Sequence, residues 1–180
     1  MTGAGGLEVE LQDRVAIITG GGGGIGRGIA LELAARGAHI VVADIDTEAA
    51  REVVGEVSGP GRRSVCLEID VASRAATDHM VEATIVEFGR VDILVNSAGV
   101  GGAPGWEGRA SGTLEDWDAA YAVHARGIVH ATDSVREHMA GRRSGKVVNI
   151  AAAAGRRGDG PLRAYLSASK AAAINVSQSF

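Results

Sequence analysis

One cysteine in 180 residues, Cys66, leaves no partner for an intramolecular disulfide, so the fold has no covalent staple and nothing points to an oxidising compartment. Proline is almost as scarce, with three, and aromatic residues make up only 3%. With so little proline and no Gly-X-Y period, collagen and proline-rich disorder are excluded. With so few rings, Ala, Val, Ile and Leu have to fill the interior. No apolar run approaches the ~20 residues that cross a bilayer. The opening MTGAGGLEVELQDR lacks the basic start and apolar stretch of a signal peptide. No membrane partner and a cytoplasmic setting are therefore expected. A surplus of positive charge is also missing. At a formal net charge of −4 the chain has no broad basic surface for phosphate backbones, so no nucleic-acid partner is expected.

What the chain has instead is glycine, 27 of 180, against a hydrophobic share of 46%. Short, near-continuous apolar runs read as strands at Val15–Thr19, His39–Asp44, Ser64–Asp70, Val91–Asn96 and Lys146–Ile150. Runs of this kind suit a parallel sheet covered on both faces. Helical spacing falls between them, at Ile25–Arg36, Thr47–Val57, Ser73–Phe88 and Thr113–Met139. Thr113 with Asp116 forms a capping box for the longest of these. Loops are expected at Val100–Gly112, Gly141–Gly145 and Gly155–Leu162, and a last helix from Ser167 to Phe180. The order predicts an α/β, Rossmann-type, doubly wound parallel sheet with helices on both faces. Such a sheet has six strands and the pattern supplies five. The expectation is one dinucleotide-binding domain over residues 1–180, truncated within its last helix and lacking the last strands.

The densest glycine run, Thr19-Gly20-Gly21-Gly22-Gly23-Gly24-Ile25-Gly26, lies between the first strand and the first helix. A pyrophosphate needs bare backbone, free N–H groups and the positive end of a helix, and this is where a strand-to-helix turn supplies them. Gly21, Gly23 and Gly26 fit G-x-G-x-x-G, while Gly20, Gly24 and Gly26 fit G-x-x-x-G-x-G. Asp44 ends the second strand about twenty residues further on. A carboxylate there accepts hydrogen bonds from an adenosine ribose and repels a 2′-phosphate. Gly23 and Ile45 beside it are not basic, so NAD is expected over NADP.

With these features, the sequence resembles the short-chain dehydrogenase/reductase family from about Gln12 to Phe180. The resemblance rests on Thr19–Gly26, on Asp44, and on Asp70-Val71 after the third strand. It rests further on Asn96-Ser97-Ala98-Gly99, close to N-N-A-G, and on the segment from Tyr165 to Lys170-Ala171-Ala172. It implies a cofactor site made of Thr19, Gly20, Gly24, Ile25, Gly26, Asp44, Asp70, Val71, Asn96, Ala98, Gly99 and Lys170. Asp70 and Val71 would meet adenine, and Asn96, Ala98 and Gly99 would line the cleft. It also implies an NAD(H)-dependent oxidoreductase that moves a hydride between nicotinamide and a small-molecule secondary alcohol or ketone. Homo-oligomers in this family form through the long helix from Thr113 and the last helix.

In that family a Tyr handles the proton of the substrate oxygen, a Lys on its helix lowers the Tyr pKa, a Ser orients the substrate, and an Asn holds a water relay. Tyr165, Lys170 and His124 are the corresponding candidates here, and the pattern departs in three places. Ala151-Ala152 follow Val148-Asn149-Ile150 where V-N-I-S-S is usual, so Ala152 takes the place of the hydroxyl. His124 replaces the Asn, either as a proton relay or as a histidine packed beside the sheet. Five residues rather than four separate Tyr165 from Lys170. On a continuous helix that interval turns them about 140° apart. Either Tyr165 lies before the first turn, or a π-bulge absorbs the extra residue, or Leu166 occupies the tyrosine position. These departures keep open two alternatives to an active enzyme: a catalytically degenerate NAD-binding homologue and an incompetent fragment.

The remaining histidines show no metal-ligand spacing, so no metal is expected. Arg156, Arg157 and Arg163 read as a solvated basic loop or as contacts to an acidic substrate. Trp106 and Trp117 read as packing residues, with a substrate contact as the alternative for Trp106.

Overall fold

The β-branched runs form five parallel strands, β1 (Val15–Thr19), β2 (His39–Asp44), β3 (Ser64–Glu68), β4 (Ile93–Asn96) and β5 (Lys146–Asn149), in the spatial order β3-β2-β1-β4-β5. The computed structural model describes residues 11–57, 61–109, 112–158, 160 and 163–180. Side chains of β1 alternate between two cores, as the two-residue repeat of a strand dictates. Val15 and Ile17 join Val41, Leu94, Met80 and Val135 on one face. Ala16 and Ile18 join Ile40, Val42, Ala30 and Val53 on the other. Helices α1 (Gly24–Ala35) and α2 (Thr47–Val57) cover the second face, and α3 (Arg74–Phe88) contributes to the first. This is the doubly wound architecture read from the sequence.

The expected long helix Thr113–Met139 is broken into three segments. α4 (Leu114–Tyr121) starts at the capping box: the Thr113 hydroxyl accepts from Asp116 N, and the Asp116 carboxylate accepts from Thr113 N. A π-helical turn, Ala122–Arg126, follows, and α5 (Gly127–Gly141) completes the run. The buried positions Asp116, Ala120, His124 and Ile128 are spaced by four. On an ideal helix each such step drifts by about 40°, and a wider i→i+5 turn takes up that drift.

Other boundaries shift as well. The strand expected to Asp70 ends at Glu68, and the one expected from Val91 begins at Ile93, where the ladder opposite Ala16 starts. The loop expected at Gly155–Leu162 carries a short helix, α6 (Ala154–Arg157), and its residues 159, 161 and 162 lie outside the described ones. The final helix, α7 (Ala164–Val176), begins three residues earlier than expected and ends at Val176 rather than Phe180. Among the described residues no helix is long and apolar enough to cross a membrane.

Candidate functional site

The strand order reverses between β1 and β4, and the crevice at their carboxyl ends is where doubly wound sheets bind ligands. The glycine turn closes one side of it. Gly20 takes φ +64° with its N–H on Ala43 O at 2.8 Å, and a Cβ there would sit 2.6 Å from Ala98 Cα. At Gly26 a Cβ would collide with the carbonyl oxygen of Gly20, so α1 can approach β1 this closely only with glycine at that position. Gly24 and Ile25 open α1, whose first N–H groups have no partner within the helix. Ile25 lines the cleft, whereas Gly24, expected there too, does not. Asp44 fixes the turn from β2: one carboxylate oxygen accepts from Gly22 N at 2.9 Å and the other from Asp46 N at 3.0 Å.

Thr19 and Asn96 work from beneath. The Thr19 hydroxyl oxygen accepts from Ser97 N at 3.2 Å and Ala98 N at 3.3 Å, which holds the Asn96–Gly99 segment against the end of β1. Asn96 is buried, and its Nδ2 donates to Asn149 Oδ1 at 2.7 Å, tying β4 to β5. Above this floor lies a cleft of about 540 Å³, within the usual range for small-molecule sites. Gly20, Ile25, Gly26, Asp44, Asp70, Val71, Ala98, Gly99 and Lys170 all line it. Lys170 comes from α7, and its Nζ donates to Ile150 O at 3.0 Å. Burial lowers its pKa. Among the described lining residues the ionisable side chains are Asp44, Asp70 and Lys170, and the single hydroxyl is that of Ser97.

The remaining two expected catalytic residues are not part of that lining. Both Tyr165 and Lys170 lie within α7, which is α-helical throughout and contains no π-bulge, so they diverge. Tyr165 is buried against α4 with its ring edge-on to Trp117, and its hydroxyl donates to Gly101 O at 2.7 Å. Leu166 stands four residues before Lys170. His124, at 2% exposure, sits in the π-helical turn behind Gly99. Its Nε2 accepts from Val100 N at 3.1 Å, and its Nδ1 lies 2.9 Å from Ser169 Oγ. Burial, with a contribution from the Lys170 charge, pushes its pKa down to about 4. Ala152 lines the cleft with a methyl group.

Sequence reasoning missed Ile69, Ser97, Val100, Val123 and Ile150 in the lining and Ser169 as the partner of His124. The signal for Ser169 is its position four residues after Tyr165, which puts both on one face of α7. Arg109, overlooked as well, pairs with the buried Asp116 at 2.6 Å. Arg163 lies over the Trp106 ring at 5.8 Å, and Arg156 and Arg157 are exposed on α6. Among the described residues no group of three or more His, Cys, Asp or Glu side chains is placed to hold a metal ion.

A parallel sheet with its cleft at the strand-order reversal, a glycine turn entering α1 and an acidic residue ending β2 define a Rossmann-type protein. Within that class the chain belongs to the short chain dehydrogenase family, whose model matches residues 14–180. It is 37% identical over 164 residues to the 2,3-dihydro-2,3-dihydroxybenzoate dehydrogenase of Bacillus subtilis, covering 91% of this chain and 61% of that protein. With the galactitol 2-dehydrogenase of Agrobacterium fabrum it shares 37% identity over 172 residues, 95% of this chain and 64% of the relative. The crystal structure of an NAD+-bound xylitol dehydrogenase superposes with a TM-score of 0.86 at 30% identity, covering 94% of this chain and 64% of that one. The chain thus spans less than two thirds of the length of these relatives.

Proposed function

We propose that this chain is the dinucleotide-binding domain of an NAD(H)-dependent oxidoreductase that moves a hydride between nicotinamide and a secondary alcohol or its ketone. The observation that carries the reading is the lining of one cleft by the glycine turn, Asp44, Asp70 and Lys170. The fit to a dinucleotide is physical. A Cβ at Gly23 would meet no protein atom within 4 Å, so the space beside the turn is left open where a pyrophosphate would lie on the start of α1. Asp44 has lone pairs left to accept ribose hydroxyls, and Lys170, the single cation among the described lining residues, comes from the distant α7. That supports NAD over NADP, since nothing basic lines the Asp44 end to pair with a 2′-phosphate. Asp70 and Val71 would flank adenine, and Lys170 the nicotinamide ribose. Bound NAD(H) would supply the hydride donor or acceptor. The relatives named for galactitol and xylitol support an alcohol substrate. The lone Cys66 fits a cytoplasmic setting. Leu114 and Tyr121, exposed on α4, support a homo-oligomer formed through α4–α5 and α7.

The positions of Tyr165 and Ala152 favour a second reading, an NAD-binding homologue without turnover, because no tyrosine or serine hydroxyl from these positions reaches the cleft. Titrating the chain with NADH, followed by nicotinamide fluorescence, and then offering NAD with a panel of secondary alcohols separates the readings. Binding with turnover establishes the first, binding without turnover establishes the second, and no binding overturns both.

A further inference from the structure

Two adjacent residues of the loop after β4, Val100 and Gly101, are held by buried side chains from elsewhere in the chain. The Val100 N–H is taken by His124 Nε2, and the Gly101 carbonyl by the Tyr165 hydroxyl. We infer that Tyr165 and the His124–Ser169 pair form a clamp that fixes the Val100–Gly101 segment, through which Val100 lines the cleft, and that both act as positioning residues rather than proton carriers.

The hydrogen bonds define the roles without ambiguity. A backbone N–H can only donate, so Nε2 facing Val100 must carry the lone pair. Nδ1 then bears the proton and donates to Ser169 Oγ, while the Ser169 hydroxyl donates onward to Leu166 O at 3.1 Å. The Val100 N–H, the Nδ1 proton and the Ser169 hydroxyl proton are thus each committed to a partner within this chain of bonds, and none of them is directed to the cleft. Burial keeps the imidazole neutral, as this arrangement requires. Tyr165 and Ser169 are four residues apart, so one face of α7 supplies both grips, and Lys170, one residue further, is turned to the cleft. The tyrosine ring also fills the space beside Gly112, where a Cβ would come within 2.5 Å of it. The extra residue before Lys170 has thus turned the tyrosine away from the cleft and onto the loop that forms its wall.

The inference rests on the proposed function only for its last readout. Imidazole ¹⁵N spectra of the chain without nucleotide should show the Nδ1–H tautomer, and the Val100 amide should be protected from hydrogen exchange. His124→Ala should speed that exchange at least ~10-fold, and Tyr165→Phe by a smaller factor, because loss of one buried bond opens a local unit more often. His124→Gln, whose side-chain oxygen can accept from Val100 N–H, should restore most of the protection, and a merely space-filling role would show no such rescue. NADH affinity should fall with loop protection, about 3- to 10-fold in His124→Ala. An Nε2–H tautomer, or Val100 exchange unchanged in both folded variants, overturns the clamp. Because exchange and tautomer are read without NADH, that result is separate from a failure to bind nucleotide. If His124→Ala does not fold, Tyr165→Phe and His124→Gln carry the same comparison.

Discussion

Each residue of an α-helix advances about 100°, so inserting one residue between two side chains removes their shared face. In α7 the tyrosine at position 165 lost the cleft and the lysine at 170 kept it. Lys170 is anchored through Ile150 O, at the end of β5, whereas Tyr165 finds an acceptor in Gly101 and a ring partner in Trp117. Deleting Leu166 would rotate Tyr165 back to four residues before Lys170, and Ala152→Ser would return a hydroxyl to the lining. A positioned acid–base group contributes about 10²–10⁴ in rate. The double change should therefore raise NAD-dependent turnover of secondary alcohols at least ~100-fold over the parent chain, read from NADH absorbance. Unchanged turnover with NADH binding intact would show that the tyrosine's placement is not what limits the chemistry. The divergence of the two residues is legible in the five-residue interval. Which of them stays at the cleft is not, because that depends on Gly101, Gly112 and Trp117, which come from a loop and another helix with no shared periodicity.

At the level of elements, β1, β2, β4 and the first three helices are legible because burial on both faces of a sheet calls for short continuous apolar runs and regular spacing, and β5 carries such a run although it is largely exposed. The π-helical turn is not. Positions 116, 120, 124 and 128 look like ordinary helical spacing, and only accumulated drift over three steps demands a wider turn. The start of α4 was legible, through its Thr113–Asp116 capping box, but the box carries more than a cap. Asp116 is 1% exposed, and its carboxylate accepts from Thr113 N, Ala103 N and Arg109. Together these hold its pKa below the usual carboxylate range, with the Thr113 N–H first among them. Thr113→Ala removes one capping acceptor and should cost about 1 kcal/mol. Asp116→Ala removes the same cap together with the acceptor for Ala103 N and the ion pair to Arg109, and should cost more than Thr113→Ala. Urea unfolding monitored by circular dichroism checks the order, and equal losses in the two variants would show that the Asp116 contacts to the preceding loop contribute little.

For the molecule as a whole, the two ends of the sheet carry ionisable groups whose shifts act in the same direction. At the carboxyl end, His124 titrates near 4 when folded against an ordinary 6.5. Between those values the unfolded chain holds a proton that the folded chain does not, so each step down in pH favours unfolding. The contribution is full above pH 6.5 and is lost as the pH falls through 4. At the amino end, Asp92 is 4% exposed beneath β1 and β4 and accepts from Arg90, Val15 N, Arg142 and Arg14. Burial alone would raise its pKa, but Arg90, the Val15 N–H and Arg142 outweigh burial and hold it at about 2. Its contribution is full above the reference 3.8 and is lost as the pH falls through 2. Acid denaturation should therefore proceed in two successive stages, the first beginning near pH 6.5, where ordinary carboxylates are still charged. His138, whose pKa burial and the Arg142 charge also hold below the ordinary 6.5, shares in the first stage. His124→Gln removes the more deeply buried of the two histidines from it and keeps an acceptor for Val100. Stability measured by urea titration from pH 7 to 4 should fall by about 1–3 kcal/mol more in the parent than in this variant. The limb below pH 3.8 should be common to both, since Asp92 and its arginines lie at the other end of the strands. An equally steep fall in the variant between pH 6.5 and 4 would assign that stage to another group and leave His124 without a measurable share in acid stability.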